Sequence, residues 1–190
     1  MLHIPTLETE RLLLRPASLR LAKAALDYYT RNEAWLQTVE PMHGADFCTL
    51  ALQRELQRQD HAAARKGESI RFWMFRKAAP ETAIGCVALN NIIYGGFRSS
   101  FLAYKTDQSL LRQGYTSEAV CAVIRFAFEG LGLHRIEANI LPRNAASLAL
   151  ARKCGFREEG LARHYLEING VWEDHLHMVL LNEPETADLR

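Results

Sequence analysis

Between Ser99 and Ile140 the chain changes its period twice. Ser99–Thr106 reads as a strand, Ser117–Gly130 as a helix, and His134–Ile140 as another strand. A strand–helix–strand run of this kind is a crossover, which places strands side by side in one sheet with the helix packed on its face. The entry to the helix adds a chemical constraint, because residues 112–119 read Arg-Gln-Gly-Tyr-Thr-Ser-Glu-Ala. A glycine turn opening onto a helix start presents unpaired backbone N–H groups where the helix dipole favours negative charge. Arg112 adds a cation at its mouth. The anticipated occupant is a phosphate or pyrophosphate wrapped by Arg112, Gln113, Gly114, Tyr115, Thr116 and Ser117. An ordinary loop with Thr116 or Ser117 as its N-cap accounts for the same residues. The stretch lacks the Gly-Lys-Ser/Thr of a Walker loop and the Gly-x-Gly-x-x-Gly of a dinucleotide fold.

Around the crossover the pattern is antiparallel. Leu7–Arg15 reads as a strand, and helices are expected over Leu19–Asn32 and Phe47–Lys66, with a turn around Pro41–Asp46 between them. Strands follow at Ile70–Arg76 and Ala83–Ile93, separated by a turn at Pro80-Glu81. After the crossover come a helix over Asn144–Cys154 and strands near Phe156–Tyr165 and at Val171–Leu181. Asn169-Gly170 forms the tight turn between the last two. A meander, a crossover and a terminal hairpin predict one mixed α/β (α+β) domain over residues 1–190, with a sheet of about seven strands.

At 48% apolar residues the chain has material for a sizeable core, and a net charge of +1 supplies no global drive toward nucleic acid or an anionic membrane. No apolar run approaches membrane-spanning length, and Met1–Thr9 does not have the form of a secretion signal. The four cysteines include no Cys-x-x-Cys pair and read as reduced thiols of a cytosolic protein.

Other polar residues each have a bland explanation. Asn144 precedes an Ala-rich helix and suits an N-cap, while Ser147 lies three residues on in the same turn. His175-x-His177 places two imidazoles on one strand face, half a metal site that nothing nearby completes, so no metal is expected. Glu118 favours the helix dipole, with a base role second. No Gly-x-Ser-x-Gly elbow is present.

Taken in order, these pieces resemble the GNAT acetyltransferases, and more narrowly the ribosomal-protein-alanine N-acetyltransferases of the RimJ/RimL type. The resemblance rests on Leu7-Glu-Thr-Glu-Arg-Leu-Leu-Leu-Arg15, Asp27-Tyr-Tyr, Glu40-Pro41, Asn90-Asn91, Gln113-Gly114-Tyr115 with Glu118-Ala119, and His134-Arg135-Ile136-Glu137-Ala138-Asn139. It continues through Pro142, Asn144, Ser147, Gly155-Phe156-Arg157-Glu158-Glu159-Gly160 and Gly170-Val-Trp172-Glu-Asp174-His175. It implies a twisted, mostly antiparallel GNAT sheet in which the fourth and fifth strands, Ser99–Thr106 and His134–Ile140, splay apart around acetyl-CoA. Leu102, Ala103 and Tyr104 would bind the pantetheine arm through their backbone, as if the arm were an added strand. The pyrophosphate would rest on Arg112–Ser117, and Asn144 and Ser147 would face the pantetheine and the thiol.

The implied reaction is direct attack of an amine on the thioester, with Ser147 as proton donor to the leaving thiolate and Asn144 beside it. Where related enzymes often carry a Glu, this chain reads Ser99-Ser100-Phe101, so no base is assigned. Leu111 and Thr116 depart from the superfamily's Gln/Arg-x-x-Gly-x-Gly/Ala, which implies weaker CoA binding or a shifted loop. The family-implied acceptor is the N-terminal alanine of a ribosomal protein. A small amine (amino acid, polyamine or antibiotic) and a non-catalytic CoA-binding or ribosome-assembly module are the alternatives. No direct nucleic-acid or membrane binding is implied, and a homodimer is left open.

Overall fold

The chain opens with a hairpin where a single strand is expected. β1 (Leu7–Glu8) and β2 (Leu12–Pro16) pair antiparallel. Thr9 makes the break: its hydroxyl accepts from the Leu12 N–H at 2.9 Å while its own N–H donates to the Leu12 carbonyl at 3.0 Å. For that reason the computed structural model has eight strands in its sheet rather than seven. It describes residues 3–37, 44 and 46–183. The expected turn at Pro41 and the Glu40-Pro41 match lie outside the described residues.

The remaining strands are β3 (Ile70–Arg76), β4 (Ala79–Ile93), β5 (Ser99–Thr106), β6 (Arg135–Ile140), β7 (Arg157–Ile168) and β8 (Val171–Leu181). Their spatial order is β1-β2-β3-β4-β5-β6-β8-β7. Every pairing is antiparallel except β5 with β6. The β3–β4 turn falls at Lys77-Ala78, not at Pro80-Glu81. Pro80 instead lies in β4 where the register jumps, Phe75 pairing with Ala83 and Arg76 with Ala79. A residue with no N–H to give is tolerated at such an irregularity.

Four helices cover the two faces: α1 (Ala22–Leu36), α2 (Leu50–Lys66), α3 (Tyr115–Arg125) and α4 (Ala145–Lys153). Successive side chains of β3 go to opposite faces, and both sets are buried. Phe72 and Met74 join Val87, Leu89, Ile136 and Ala138 in one core with Val120 and Val123 of α3 and Leu148 and Ala151 of α4. Trp73 and Phe75 join Ala25, Tyr28 and Tyr29 of α1 in the other. α2 packs two glutamines inward, and Gln57 Oε1 accepts from the Trp73 indole N–H at 3.0 Å. At the far end, Asn169 (φ 53°) and Gly170 (φ 82°) both take the left-handed conformation required by a two-residue hairpin turn.

The parallel pair positions the site. β5 and β6 are in register only at Ser99 with Arg135, Ser100 with Ile136 and Phe101 with Glu137. Beyond Phe101 the two strands part. β5 remains paired to β4 from Leu102 to Thr106, so its other edge carries unused backbone hydrogen-bonding groups.

Candidate active site

The free edge of β5 faces two helix starts. At one, β5 ends and Asp107 begins a 3-10 turn over Gln108–Leu110, its carboxylate accepting from the Ser109 N–H at 3.0 Å. The same carboxylate accepts from Arg31 Nε at 2.7 Å and Asn32 Nδ2 at 3.2 Å, and the Asn32 side-chain oxygen takes the Gln108 N–H. Burial works to raise the Asp107 pKa, but the hydrogen bonds from Ser109, Arg31 and Asn32 outweigh it and hold the value at about 2. α1 is thereby tied to the root of the loop.

The loop then reaches Arg112 (φ 61°) and Gly114 (φ 82°), both left-handed, before α3 begins. Gly114 is the N-cap, and no side chain caps the helix. The alternative, a cap from Thr116 or Ser117, is absent because both hydroxyls are engaged elsewhere. Thr116 Oγ1 hydrogen-bonds Thr106 Oγ1 at 2.6 Å, and Ser117 Oγ donates to the Gly114 carbonyl at 3.0 Å. Thr116 is therefore turned toward β5, and its bulk does not stand over the backbone of the helix start. Arg112 is exposed and pairs with none of the described residues.

Arg11 braces the loop from the β1–β2 turn. It donates through Nη1 to the Gln113 carbonyl at 3.1 Å and through Nε to Glu118 at 2.6 Å, and its guanidinium lies 4.4 Å from the centre of the Tyr115 ring. Glu118 also accepts from the Thr9 hydroxyl and the Arg11 N–H. Burial opposes ionisation, but these donors hold its pKa below the usual carboxylate range. Glu118 is a structural anion; its oxygens are not available as a base.

At the second helix start, Asn144 caps α4 as expected, its side-chain oxygen accepting from the Ser147 N–H at 3.1 Å. The Ser147 hydroxyl lies 2.7 Å from the Tyr104 hydroxyl, which also donates to the Ser147 carbonyl at 3.2 Å. Burial raises the Tyr104 pKa and keeps the phenol neutral, with the Ser147 hydrogen bond pulling the other way. The predicted residues thus fall into two groups around one opening. Leu102, Ala103 and Tyr104 lie on β5, with Tyr104 touching Ser147 and Ser147 capped by Asn144, and Arg112–Ser117 sit past the end of that strand, joined to it through the Thr106–Thr116 hydrogen bond.

This combination, a mostly antiparallel sheet parted at one parallel pair with an uncapped helix start at the end of the parted strand, coincides with a family match. Residues 11–157 match the family described as acetyltransferase (GNAT) domain. The chain is a GNAT acetyltransferase. It is 34% identical over 176 residues to the probable N-acetyltransferase YjcK of Bacillus subtilis, spanning 93% of this chain and 97% of that one. It is 31% identical over 179 residues to the ribosomal protein uS5-alanine N-acetyltransferase of Escherichia coli, spanning 94% and 91%. The solved structure of Mycobacterium smegmatis RimJ in complex with CoA-disulfide superposes with a TM-score of 0.83 at 30% identity, covering 90% of this chain and 82% of that one.

Several features of this site emerge only from the fold. Arg31 and Asn32 are far from Asp107 in sequence, as Arg11 is from Glu118, and no local motif announces either brace. On the other side of the opening, His177 Nδ1 lies 2.8 Å from Glu137, and Asn139 Nδ2 donates to the Tyr165 hydroxyl at 2.9 Å. Cys121 of α3 and Cys154, which ends α4, come within 3.8 Å, and burial together with the Cys121 sulfur pushes the Cys154 thiol up to about 12. Among the described residues no group of three or more His, Cys, Asp or Glu is placed to hold a metal ion, and no helix is long and apolar enough to cross a membrane.

Proposed function

We propose that this GNAT domain transfers the acetyl group of acetyl-CoA directly to the N-terminal amine of a protein, with the N-terminal alanine of a ribosomal protein as the acceptor. The observation that carries the reading is the parted β5 edge from Leu102 to Tyr104, flanked by the uncapped start of α3 and by Ser147. The donor set fits the ligand. An extended amide-bearing arm matches a strand edge in hydrogen-bonding period, and a diphosphate matches outward N–H groups beside an unpaired Arg112.

The substrate amine, once neutral, attacks the thioester carbonyl carbon; the C–S bond breaks, and Ser147 passes a proton to the departing sulfur. Tyr104, kept neutral, orients the Ser147 hydroxyl. The acceptor would reach the thioester from the sheet face away from α3 and α4. Beyond the Ile140 end of β6, on the side where β5 and β6 have parted, the terminal hairpin exposes Leu166 and Trp172, apolar side chains that a peptide N-terminus could lie against. The uS5-alanine acetyltransferase of Escherichia coli supports the acceptor and the CoA-bound RimJ of Mycobacterium smegmatis supports the donor; a ribosomal acceptor would be met in the cytoplasm.

Thiol release from acetyl-CoA with an Ala-initiated peptide, run beside a panel of free amines, tests the reading. Turnover at least tenfold higher with the peptide is expected. Preference for a polyamine or amino acid would transfer the activity to a small acceptor.

A further inference from the structure

β6 alternates its side chains across the sheet. Ile136, Ala138 and Ile140 belong to the core under α3 and α4, so Glu137 and Asn139 lie on the opposite face. Glu137 is the last β6 residue paired to β5, and Asn139 stands two residues on, where β5 has left. On β8, His177 is the register partner of Asn139. These side chains form a cluster with a definite polarity. Glu137 accepts from Arg135 with one carboxylate oxygen and faces His177 Nδ1 with the other, at 2.8 Å. A carboxylate can only accept, so Nδ1 carries a proton, and in the neutral imidazole Nε2 presents a lone pair. Asn139 donates its amide to Tyr165, whose ring lies 4.8 Å from that of His177, and this leaves the Asn139 oxygen as an acceptor.

Both remaining acceptors, His177 Nε2 and Asn139 Oδ1, are buried and have no hydrogen-bond partner. Two unsatisfied acceptors on paired residues call for a donor with at least two protons, such as a water or an ammonium. The other carboxylates near the opening are committed. Asp107 is filled by Ser109, Arg31 and Asn32, and Glu118 by Thr9 and Arg11.

We propose that His177 is the proton acceptor of the reaction, with Glu137 holding its tautomer and Asn139 Oδ1 holding the donor beside it. The inference rests on the acetyl-transfer reading above and adds the residue that makes the amine reactive. The acceptor arrives as R–NH3+, with no lone pair to attack. One N–H proton passes, through a water bound between Asn139 and His177, to Nε2. The imidazolium formed is stabilised by Glu137 and later releases that proton to solvent. The resulting R–NH2 attacks the thioester carbon. As the C–S bond breaks, the second proton shed by nitrogen balances the one Ser147 gives to sulfur, so the sum is amide, thiol and one proton.

The test compares two acceptors on the full chain: an Ala-initiated peptide, whose amine is largely protonated at neutral pH or just below, and a peptide hydrazide, whose terminal nitrogen is already neutral there. His177→Gln is expected to lower kcat for the peptide about a hundredfold, to change the hydrazide rate less than threefold by the same reasoning, and to leave the acetyl-CoA-induced thermal shift intact. Added imidazole should restore part of the peptide rate in His177→Ala. Glu137→Gln should show the same selective loss to a lesser degree, and it carries the test if the His177 variants do not fold. Equal losses with both acceptors, or an unchanged peptide rate, would overturn the role of His177. Wild-type protein that binds acetyl-CoA yet acetylates neither acceptor would instead overturn the transfer reading, and the His177 role with it.

Discussion

Ser147 meets the opening with its hydroxyl hydrogen-bonded to Tyr104 and its amide capped by Asn144. Both contacts fix the direction of its O–H, and that proton becomes free for the sulfur when Tyr104 turns its own single proton from the Ser147 carbonyl to Ser147 Oγ. Removal of the hydroxyl should therefore affect turnover more than binding. Ser147→Ala is expected to lower kcat by about 10- to 100-fold, at the low end of what a positioned acid contributes, with the dissociation constant for acetyl-CoA changed less than threefold; stopped-flow turnover alongside calorimetry reads both. Tyr104→Phe keeps the packing and loses only the orienting hydroxyl, so its kcat loss should be the smaller of the two. Parallel losses in turnover and affinity would mean that Ser147 only binds ligand. Asn144 was readable as a cap because the signal is local, a polar side chain before an Ala-rich turn. The Tyr104–Ser147 contact was not, because it joins β5 to α4 across the opening.

The loop into α3 is held as a unit from both ends, and its chemistry depends on that. Asp107 anchors one end to α1, and Arg11 the other to the β1–β2 turn. Asp107 has its pKa held at about 2, below the ordinary carboxylate value. A depressed pKa stabilises the fold above the unfolded-state value and loses that contribution as pH falls through the folded one. From about 3.8 to about 2 the difference corresponds to about 2 kcal/mol. Asp107→Asn should thus be less stable than wild type by about that amount at pH 7 in urea unfolding, and the gap should close as pH drops from about 4 toward 2. A gap independent of pH would assign the loss to packing. The glycine of the loop makes a separate prediction. Gly114 is left-handed, and a Cβ there would stand 3.3 Å from Arg11 Nη2. Gly114→Val should weaken acetyl-CoA binding at least tenfold while costing about 1–2 kcal/mol of stability; unchanged affinity would dissociate the loop from the pyrophosphate. Sequence periodicity located α3 and its glycine, but it left open whether Thr116 or Ser117 caps the helix. Whether a hydroxyl caps its own helix or turns to Thr106 depends on a neighbouring strand that local pattern does not describe. The same limit explains the split first strand, decided by the Thr9 side chain, and Pro80, absorbed by a register jump in β4.

At the scale of the molecule, the sheet consists of a β1–β5 meander and a β6–β8 unit joined by only three β5–β6 register pairs. α3 and α4 lie over that seam, where few backbone pairings join the two parts of the sheet. A ligand seated there would touch β5, the start of α3 and the start of α4, and would add a connection the polypeptide lacks. Binding to the folded state alone stabilises by an amount set by concentration, about 2.7 kcal/mol at a hundred times the dissociation constant. For a chain of this length each kcal/mol raises Tm by about 2–4 °C, so a shift of roughly 5–10 °C is expected. The variants separate the origin of the shift from its chemistry. Ser147→Ala and His177→Gln should keep it, because they remove proton transfer and leave the cradle in place, whereas Gly114→Val should lose most of it. Hydrogen exchange should slow at the amides of Leu102–Tyr104 and at the first turn of α3, and not in the β7–β8 hairpin. Protection spread evenly over the sheet would place the ligand elsewhere, and no thermal shift at millimolar acetyl-CoA would remove the acetyl donor, and with it every step assigned to Ser147 and His177.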